Sequence, residues 1–230
     1  MSKKGIPFKI IFIVMVTLLV VIPITIFGII ELKVSADRAS IDVQNVISND
    51  ISVTYKNVQN VFESVQAKVK SDLILAEYIL NSDGSVYLDN NQKIELDAVN
   101  QISKEKTTVT IPVMMAGDTV LSTSYTLVDE IQKYAGGTAT VFQIIPQGLL
   151  RVSTNVLKED FTRAVGTYIP TDSIVYKTVM KGDTFYGRAF VVNSWYITAY
   201  KPILGADGSI IGVMYVGVKE DPFKQKVFSN

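Results

Sequence analysis

The sequence predicts an α+β protein with one transmembrane helix, then a long helix, then a five- or six-stranded antiparallel sheet on which the long helix packs. Three observations carry this prediction. Residues 10–30 form an uncharged apolar run, and residues 31–80 contain neither glycine nor proline. Beyond residue 106, short runs of alternating apolar and polar residues are separated by turn residues, which is the pattern of paired strands.

The apolar run is long enough to cross a membrane as a helix. At a rise of about 1.5 Å per residue it spans about 30 Å, the thickness of the hydrocarbon core of a bilayer. Lys3, Lys4 and Lys9 precede the run, and the positive-inside rule predicts that they keep residues 1–9 in the cytoplasm. We therefore expect a single-pass protein of the cell membrane whose chain is extracytoplasmic from residue 31 onward.

Two other interpretations of the N-terminus are weighed against a membrane anchor. A cleaved signal peptide has a shorter apolar core and a small-residue cleavage site, whereas Glu31-Leu32-Lys33-Val34 is a poor cleavage site. Lys3-Lys4-Gly5 before an apolar helix resembles a pilin processing site, which would indicate a filament subunit or adhesin. Pro23 lies inside the run, and a kink there is tolerated because neighbouring groups satisfy the freed carbonyl.

Composition excludes most kinds of enzyme. The chain has 22 basic and 22 acidic residues, 0 His and 0 Cys. Catalytic Ser-His-Asp and Cys-His systems and His/Cys zinc sites cannot be built without these residues. Asp89-Asn90-Asn91 lacks the glycine and terminal glutamate of a calcium loop. We expect no enzyme activity, no cofactor and no metal. Because basic and acidic residues are balanced, we also expect the protein not to bind nucleic acid.

The long helix carries an apolar stripe in its second half. A helix over residues 31–81 would be about 75 Å long, and the polar stretch 45–60 is where it would break most easily. We expect the distal part of the stripe to pack on the protein's own sheet and the membrane-proximal part to pair with a second copy in a homodimer. The stripe residues are spaced three and four apart, as on one helix face: Val58, Phe62, Val65, Val69, Leu73, Ala76 and Leu80.

Local patterns predict the remaining elements. Residues 81–106 are polar and predict loops with a short strand at 86–88. Gly136-Gly137 should end a short helix at 126–134, and a second short helix is predicted at 173–180. The alternating runs predict strands at 107–115, 139–145, 149–154, 186–192, 195–203 and 209–218.

The predicted sheet carries side chains suited to a small organic ligand. Because side chains alternate along a strand, Arg151 would share a face with Ser153, Tyr186 with Arg188, and Tyr196 with Tyr200. Aromatic walls with a few polar donors are typical of ligand pockets, and arginine offers a planar fork that matches a carboxylate. The alternative is that the arginines are solvated or paired with surface acids. The candidate ligand-binding residues are Arg151, Ser153, Thr154, Arg163, Tyr186, Arg188, Tyr196 and Tyr200.

Several sequence blocks, in order, resemble a known family of extracytoplasmic sensor domains. The blocks are VDEI at 128–131, GGTATVFQ at 136–143, LRVSTNV at 150–156, RAVGTYIP at 163–170, KGDTFYGRAFVVN at 181–193, WYITAYKPI at 195–203 and IGVMYVGV at 211–218. Over about residues 100–220 the pattern resembles the single-Cache family, in particular its fused Cache 3/Cache 2 type. Members serve as input domains of chemoreceptors and sensor histidine kinases.

The resemblance implies a PAS-like Cache fold behind a long N-terminal helix. It also implies recognition of a small molecule, often a short organic acid, for signal transduction or chemotaxis, as in a methyl-accepting chemotaxis protein. The expected organisation is a cytoplasmic N-terminus at 1–9, a transmembrane helix at 10–30, a long extracytoplasmic helix at 31–81, a Cache sensor domain at 82–220 and a C-terminal tail at 221–230.

Two features depart from the family pattern. Phe161 stands where the family usually has glycine, and its side chain would reshape the loop at the pocket mouth. Family members normally continue into a second membrane helix and a cytoplasmic signalling module, whereas this chain ends at Asn230. We therefore expect either a truncated receptor or a sensor-only protein that acts through a signalling partner.

Overall fold

A computed structural model of the chain describes residues 7–221. The Lys3-Lys4-Gly5 motif, most of the predicted cytoplasmic segment 1–9 and most of the predicted tail 221–230 lie outside the described residues. The chain divides between Asn57 and Val58 into two compact units, and each is described by itself.

The first unit is helical. Helix α1 spans Phe8–Val16, a π-helical turn spans Thr17–Val21, and helix α2 spans Ile22–Ser82 without a break in the polar stretch 45–60. The π-helical turn comes directly before Pro23, which has no N–H to donate and whose ring crowds the preceding turn. The widened turn accommodates the proline without ending the helical path.

The apolar run satisfies its own polar groups. Thr17 Oγ1 donates to the carbonyl of Ile13 at 2.9 Å, and Thr25 Oγ1 donates to the carbonyl of Ile22 at 2.8 Å. Among the described residues, one helical path is long and apolar enough to cross a membrane by length and composition, and the most apolar window of that path is not buried.

The second unit consists of the distal part of α2, from Val58 onward, a nine-stranded sheet and two short helices. Its strand order is β3-β2-β1-β6-β5-β4-β9-β8-β7. Neighbouring strands are antiparallel except β1 and β6, which are parallel. The elements are β1 Val86–Asn100, β2 Lys106–Ala116, β3 Thr119–Val120, α3 Thr126–Ala135, β4 Thr138–Ile145, β5 Gly148–Thr154, β6 Thr167–Pro170, α4 Ile174–Val179, β7 Phe185–Val191, β8 Ser194–Leu204 and β9 Ile210–Lys219.

The architecture is the expected α+β, PAS-like arrangement, but the prediction of five or six strands is wrong. The sequence predicts loops over residues 81–106 with a short strand at 86–88, whereas the strand β1 continues to Asn100. This strand pairs with β2 along its length and shifts register between Asp89 and Lys93. Residues 90–93 in its middle are polar and exposed, whereas Ile94, Leu96 and Ala98 alternate with polar residues and pack against the apolar core. The polar middle of the strand therefore interrupts the apolar pattern by which a strand is predicted. Strands β3 and β6 are too short to show any alternation.

The sheet buries a separate apolar cluster on each face. The helix face is defined as the side carrying Val141, Ile197 and Met214, which pack with α2 and α3. The far face is the side carrying Phe142, Tyr200 and Tyr215, which pack with α4 and residues around 156–164. The predicted stripe of α2 is buried from Val65 onward, at Val65, Val69, Leu73, Ala76 and Leu80, whereas Val58 and Phe62 are exposed.

Charged contacts join α3 to α2. Lys68 Nζ donates to the two carboxylate oxygens of Asp72 at 2.9 and 2.7 Å and to the carbonyl of Ala135 at 2.6 Å. Ala135 is the last residue of α3, where backbone carbonyls lack a partner within the helix. Lys68 therefore caps α3, and its ion pair compensates the charge of the buried Asp72.

The turn between β4 and β5 requires glycine. Gly148 has φ +147°, and a Cβ there would lie 1.9 Å from the carbonyl oxygen of Ile169 in β6. Gly182 also has a positive φ, of +88°, but its Cβ would meet nothing within 4 Å. An alanine at Gly182 would therefore have only an unfavourable backbone conformation, whereas an alanine at Gly148 would also clash with the backbone of β6.

We expect Gly148→Ala to lower the free energy of unfolding by more than about 3 kcal/mol, because the methyl group forces β6 away from β5. The matched Gly182→Ala should cost only about 1–2 kcal/mol, the penalty for a left-handed residue with a Cβ. Urea unfolding of the detergent-solubilised full chain measures both. Equal losses would show that β6 yields to the clash without cost.

Candidate functional site

The strand register divides the predicted ligand-binding side chains between the two faces of the sheet. Directly paired residues share a face. Tyr186 pairs with Ala199 and Arg188 with Ile197, so both lie on the helix face. Tyr196 and Tyr200 alternate with Ile197 and Ala199 along β8 and lie on the far face. The expected grouping of Tyr186 and Arg188 beside Tyr196 and Tyr200 is therefore wrong, because the β7–β8 pairing opposes the two sets.

A bulge separates Arg151 from Ser153. Val141 pairs with Ser153 but Phe142 pairs with Arg151, so β5 has one extra residue, Val152, at this point. An extra residue reverses the alternation of side chains. Arg151 therefore lies on the far face and Ser153 on the helix face, contrary to the simple period of two.

Arg151 is the central polar group of the far face. Its side chain is fully buried, at 0% exposure. Nη1 donates to the hydroxyl of Thr167, whereas Nε and Nη2 have no hydrogen-bond partner among the described residues. The guanidinium carbon lies 4.9 Å from the centre of the Phe142 ring. The one neutral hydrogen bond and the aromatic face do not replace the water that burial removes from the guanidinium.

Aromatic side chains surround this guanidinium. The ring centres of Tyr200 and Tyr215 are 4.8 Å apart, and that of Phe142 lies 6.1 Å from Tyr200 and 6.5 Å from Tyr215. Burial lowers the pKa of Arg151, while the neighbouring phenols of Tyr200, Tyr215 and Tyr196 oppose that shift. Burial raises the pKa of each of the three phenols, so they are neutral and present hydroxyl groups.

Thr167 connects Arg151 to a cavity at the protein surface. Its hydroxyl accepts from Arg151 and donates to the carbonyl of Ala164 at 2.8 Å. The cavity has a volume of about 480 Å³, and its lining includes Thr167, Val192 and Asn193. The guanidinium thus lies one hydrogen bond behind the cavity wall.

The rim of the cavity contains residues in an uncommon backbone conformation. Lys104, which lines the cavity, has φ +64°, and Val192, which also lines it, has φ +57°. Phe161, next to the lining residues 158–160, has φ +62° and is 83% exposed. Left-handed conformations of such residues are costly and cluster at functional sites. The conformation of Phe161 explains why glycine would suit this position.

Among the described residues, Arg163, unlike Arg151, is paired with an acidic side chain. Its two terminal nitrogens donate to the carboxylate of Asp129 at 2.8 and 2.9 Å, and Nη1 also donates to the carbonyl of Thr154 at 2.9 Å. The guanidinium carbon lies 4.4 Å from the centre of the Tyr125 ring. Arg163 therefore fastens the segment after β5 to the first turn of α3.

Arg188 is also paired. It makes two hydrogen bonds to the carboxylate of Glu220 and stacks with its guanidinium carbon 3.9 Å from the centre of the Trp195 ring. On the same face, Tyr186 is half exposed, with Lys70 Nζ 5.7 Å from its ring centre. These contacts fix the end of β9 against the β7–β8 hairpin.

The two hydroxyl residues of β5 make internal hydrogen bonds. Ser153 Oγ donates to the carbonyl of Ser124 on the helix face. Thr154 lies on the far face, where its Oγ1 is 2.6 Å from that of Thr140. Of the eight predicted residues, the far face thus brings together Arg151, Thr154, Tyr196 and Tyr200.

Sequence reasoning missed three residues of this cluster. Phe142 and Tyr215 lie on predicted strands, and their alternation with Val141 and Met214 could have placed them on one face. Thr167 had no such signal, because β6 is four residues long and its pairing depends on strands distant in the chain.

We expect Asp129→Asn to lower the free energy of unfolding by about 1 kcal/mol, because Arg163 loses a partly exposed charged partner and α3 loses an acidic residue in its first turn. The matched control is Asp118→Asn, an exposed carboxylate, for which a change within about 0.5 kcal/mol is expected. Urea unfolding measures both. An unchanged Asp129→Asn protein would mean that the pair contributes nothing to the docking of α3.

Comparison with known proteins gives one family. The sequence from residue 34 to residue 230 matches the Cache 3/Cache 2 fusion domain. No curated protein matches the sequence. The sensor domain of Escherichia coli DcuS is among the similar solved structures, at 14% identity and a TM-score of 0.33, covering 44% of this chain and 69% of that one; a likeness this weak carries no argument. On the strength of the family match, the chain belongs to the Cache 3/Cache 2 fusion family of sensor domains.

Proposed function

We propose that this protein is a membrane-anchored, extracytoplasmic sensor domain that binds a small organic carboxylate on the far face of its sheet, with Arg151 as the anchor. One observation carries the proposal. A fully buried guanidinium has two nitrogens without partners among the described residues. A carboxylate ligand would supply both the negative charge and the acceptor oxygens.

The energetic argument rests on the cost of burying a charge. An uncompensated ion in a low-dielectric interior costs several kcal/mol even after relaxation. Proteins usually neutralise a buried cation with an acid, and even the partly exposed Arg163 has Asp129 as its acidic partner. Arg151 has no such partner among the described residues. A carboxylate binding side-on to the guanidinium makes two parallel charge-assisted hydrogen bonds, so binding recovers free energy that folding of the empty protein forfeits.

The proposal of anchoring and orientation is supported by the apolar run and by the lysines that precede it in the sequence. We infer that residues 10–30 cross the membrane, with 1–9 in the cytoplasm, and that the helix 31–81 and the Cache domain 82–220 lie outside. The described residues of the proposed site provide hydrogen-bond donors and aromatic walls, without a carboxylate, histidine or cysteine. We therefore infer a binding role and not a catalytic one.

The output is proposed to be signal transduction through a second copy. The membrane-proximal part of α2 exposes Ile47, Ile51 and Tyr55, which are spaced four apart on one helix face. Pairing of two such helices would cover these side chains and pass a change in the sensor domain toward the membrane. A signalling partner, as in chemotaxis receptors or sensor kinases, would receive the change.

The ligand proposal is tested by Arg151→Met, which keeps length and removes charge. Without ligand, we expect the variant to melt several degrees higher than the wild type, because each kcal/mol of relieved burial cost raises Tm by about 2–4 °C. A carboxylate at a hundred times its Kd should stabilise the wild type by about 2.7 kcal/mol and the variant not at all.

The measurement is thermal unfolding of the detergent-solubilised full chain with and without a panel of organic acids. Arg38→Met, at an exposed position of α2, makes the same substitution away from the sheet and should leave both quantities unchanged. A lower melting temperature for ligand-free Arg151→Met, with stabilisation by acids retained, would overturn the proposal.

The dimer is tested by disulfide formation, since the chain has 0 Cys and a single introduced cysteine is unambiguous. We expect Ile51→Cys to form a covalent dimer under mild oxidation in membranes, because two facing cysteines on a paired helix approach closely. Asn49→Cys, about 200° around the same helix, is the matched control and should remain monomeric. Equal crosslinking at both positions would indicate random collision and not a helix pair.

A further inference from the structure

We infer that the far-face site selects a monocarboxylate with an apolar remainder, and rejects both dicarboxylates and amino acids. This inference rests on the proposed function and specifies its ligand. It follows from the number, the sign and the position of the charges in the second unit, which provide one unpaired buried cation and no buried acid beside it.

The interior contains very few charges. Among the described residues, the buried charged side chains are Arg151 and Asp72. Asp72 lies on α2 and is bound by Lys68 at 2.7 Å, so its charge is already compensated away from the far face. Arg151 alone remains to balance a charge on the ligand.

The other two predicted arginines are not available for a second carboxylate. Arg163 holds Asp129 in a two-bond pair, and Arg188 lies on the opposite face of the sheet and binds Glu220. A second carboxylate brought into the far-face cluster would therefore exchange water for an aromatic environment without a partner. Burial of an unpaired ion costs far more than the added contacts return.

An ammonium group meets the same obstacle with opposite sign. The far-face cluster consists of apolar and aromatic side chains, with the neutral hydroxyl residues Thr140 and Thr154 among its buried polar groups. Among the described residues it contributes no buried aspartate or glutamate that could accept an ammonium. An α-amino acid would also place its positive charge next to Arg151, so repulsion adds to the cost of desolvation.

The surface cavity that Thr167 lines does not change this balance of charge. The cavity that reaches Thr167 is lined by two lysines, Lys104 and Lys158, and two acids, Glu159 and Asp160. Lys104 Nζ already donates to the carbonyl of Gln101 at 2.8 Å, and Asp160 accepts from Thr162. Because the two lysines and the two acids of this solvated cavity balance in charge, they do not attract the second carboxylate of a dicarboxylate.

The test uses matched probes that differ by one charged group. Butyrate is compared with succinate, propionate with alanine, and 3-phenylpropionate with phenylalanine, each titrated by thermal unfolding against the detergent-solubilised full chain, Arg151→Met and Arg38→Met. We expect at least one monocarboxylate to stabilise the wild type and Arg38→Met, with its charged counterpart at least about tenfold weaker, and no stabilisation of Arg151→Met.

The outcomes separate this inference from the proposed function. Succinate or an amino acid binding as tightly as its matched monocarboxylate, with loss of both in Arg151→Met, would overturn the inference and leave the carboxylate sensor intact. Stabilisation that persists in Arg151→Met would overturn both. So would the absence of stabilisation by any of the six compounds up to about 100 mM, a hundred times a Kd of about 1 mM.

Discussion

The central strands β4, β5, β8 and β9 are buried on both faces, and this constraint governs the rest of the second unit. A strand covered on one side only can leave its polar residues in water, but these strands cannot. Each polar side chain on them must find a partner inside the protein. Thr140 pairs with Thr154, and Ser153 with the carbonyl of Ser124. Among the described residues, Gln143 on β4 leaves Oε1 without a partner, and Arg151 on β5 leaves Nε and Nη2 without one. Of these two residues, Arg151 is the one that carries a charge to compensate.

Two-sided burial also explains how far the sequence could predict the fold. The strands with strong apolar alternation, and the helix stripe from Val65 onward, were predictable because burial dictates their pattern. Strand β1 was predicted only at residues 86–88, because the exposed polar residues 90–93 interrupt the apolar alternation that resumes at Ile94. The two positive-φ glycines at Gly136 and Gly148 mark turns that the sequence did predict, since few other residues tolerate those conformations.

The candidate site was predictable in its chemistry more than in its geometry. Arginine, tyrosine and threonine lie on neighbouring strands, but the β5 bulge and the β7–β8 register decide which of them share a face. A single extra residue at Val152 moves Ser153 to the other face, and no local pattern announces that insertion. The three arginines have similar sequence surroundings but different partners, and only long-range packing separates the paired Arg163 and Arg188 from Arg151.

The helix α3 is held at both ends by charged contacts, Asp129 with Arg163 at its first turn and the carbonyl of Ala135 with Lys68 at its last. A ten-residue helix is a stiff rod about 15 Å long. In mechanical terms, α3 is a strut between the segment that follows β5 and the helix α2. If the Arg163–Asp129 pair stays intact, a movement of that segment moves α3 with it. The movement of α3 then either shifts α2 or breaks the contact between Lys68 and the carbonyl of Ala135. A displacement of the segment after β5 can therefore reach α2 through α3 without any bending of the sheet.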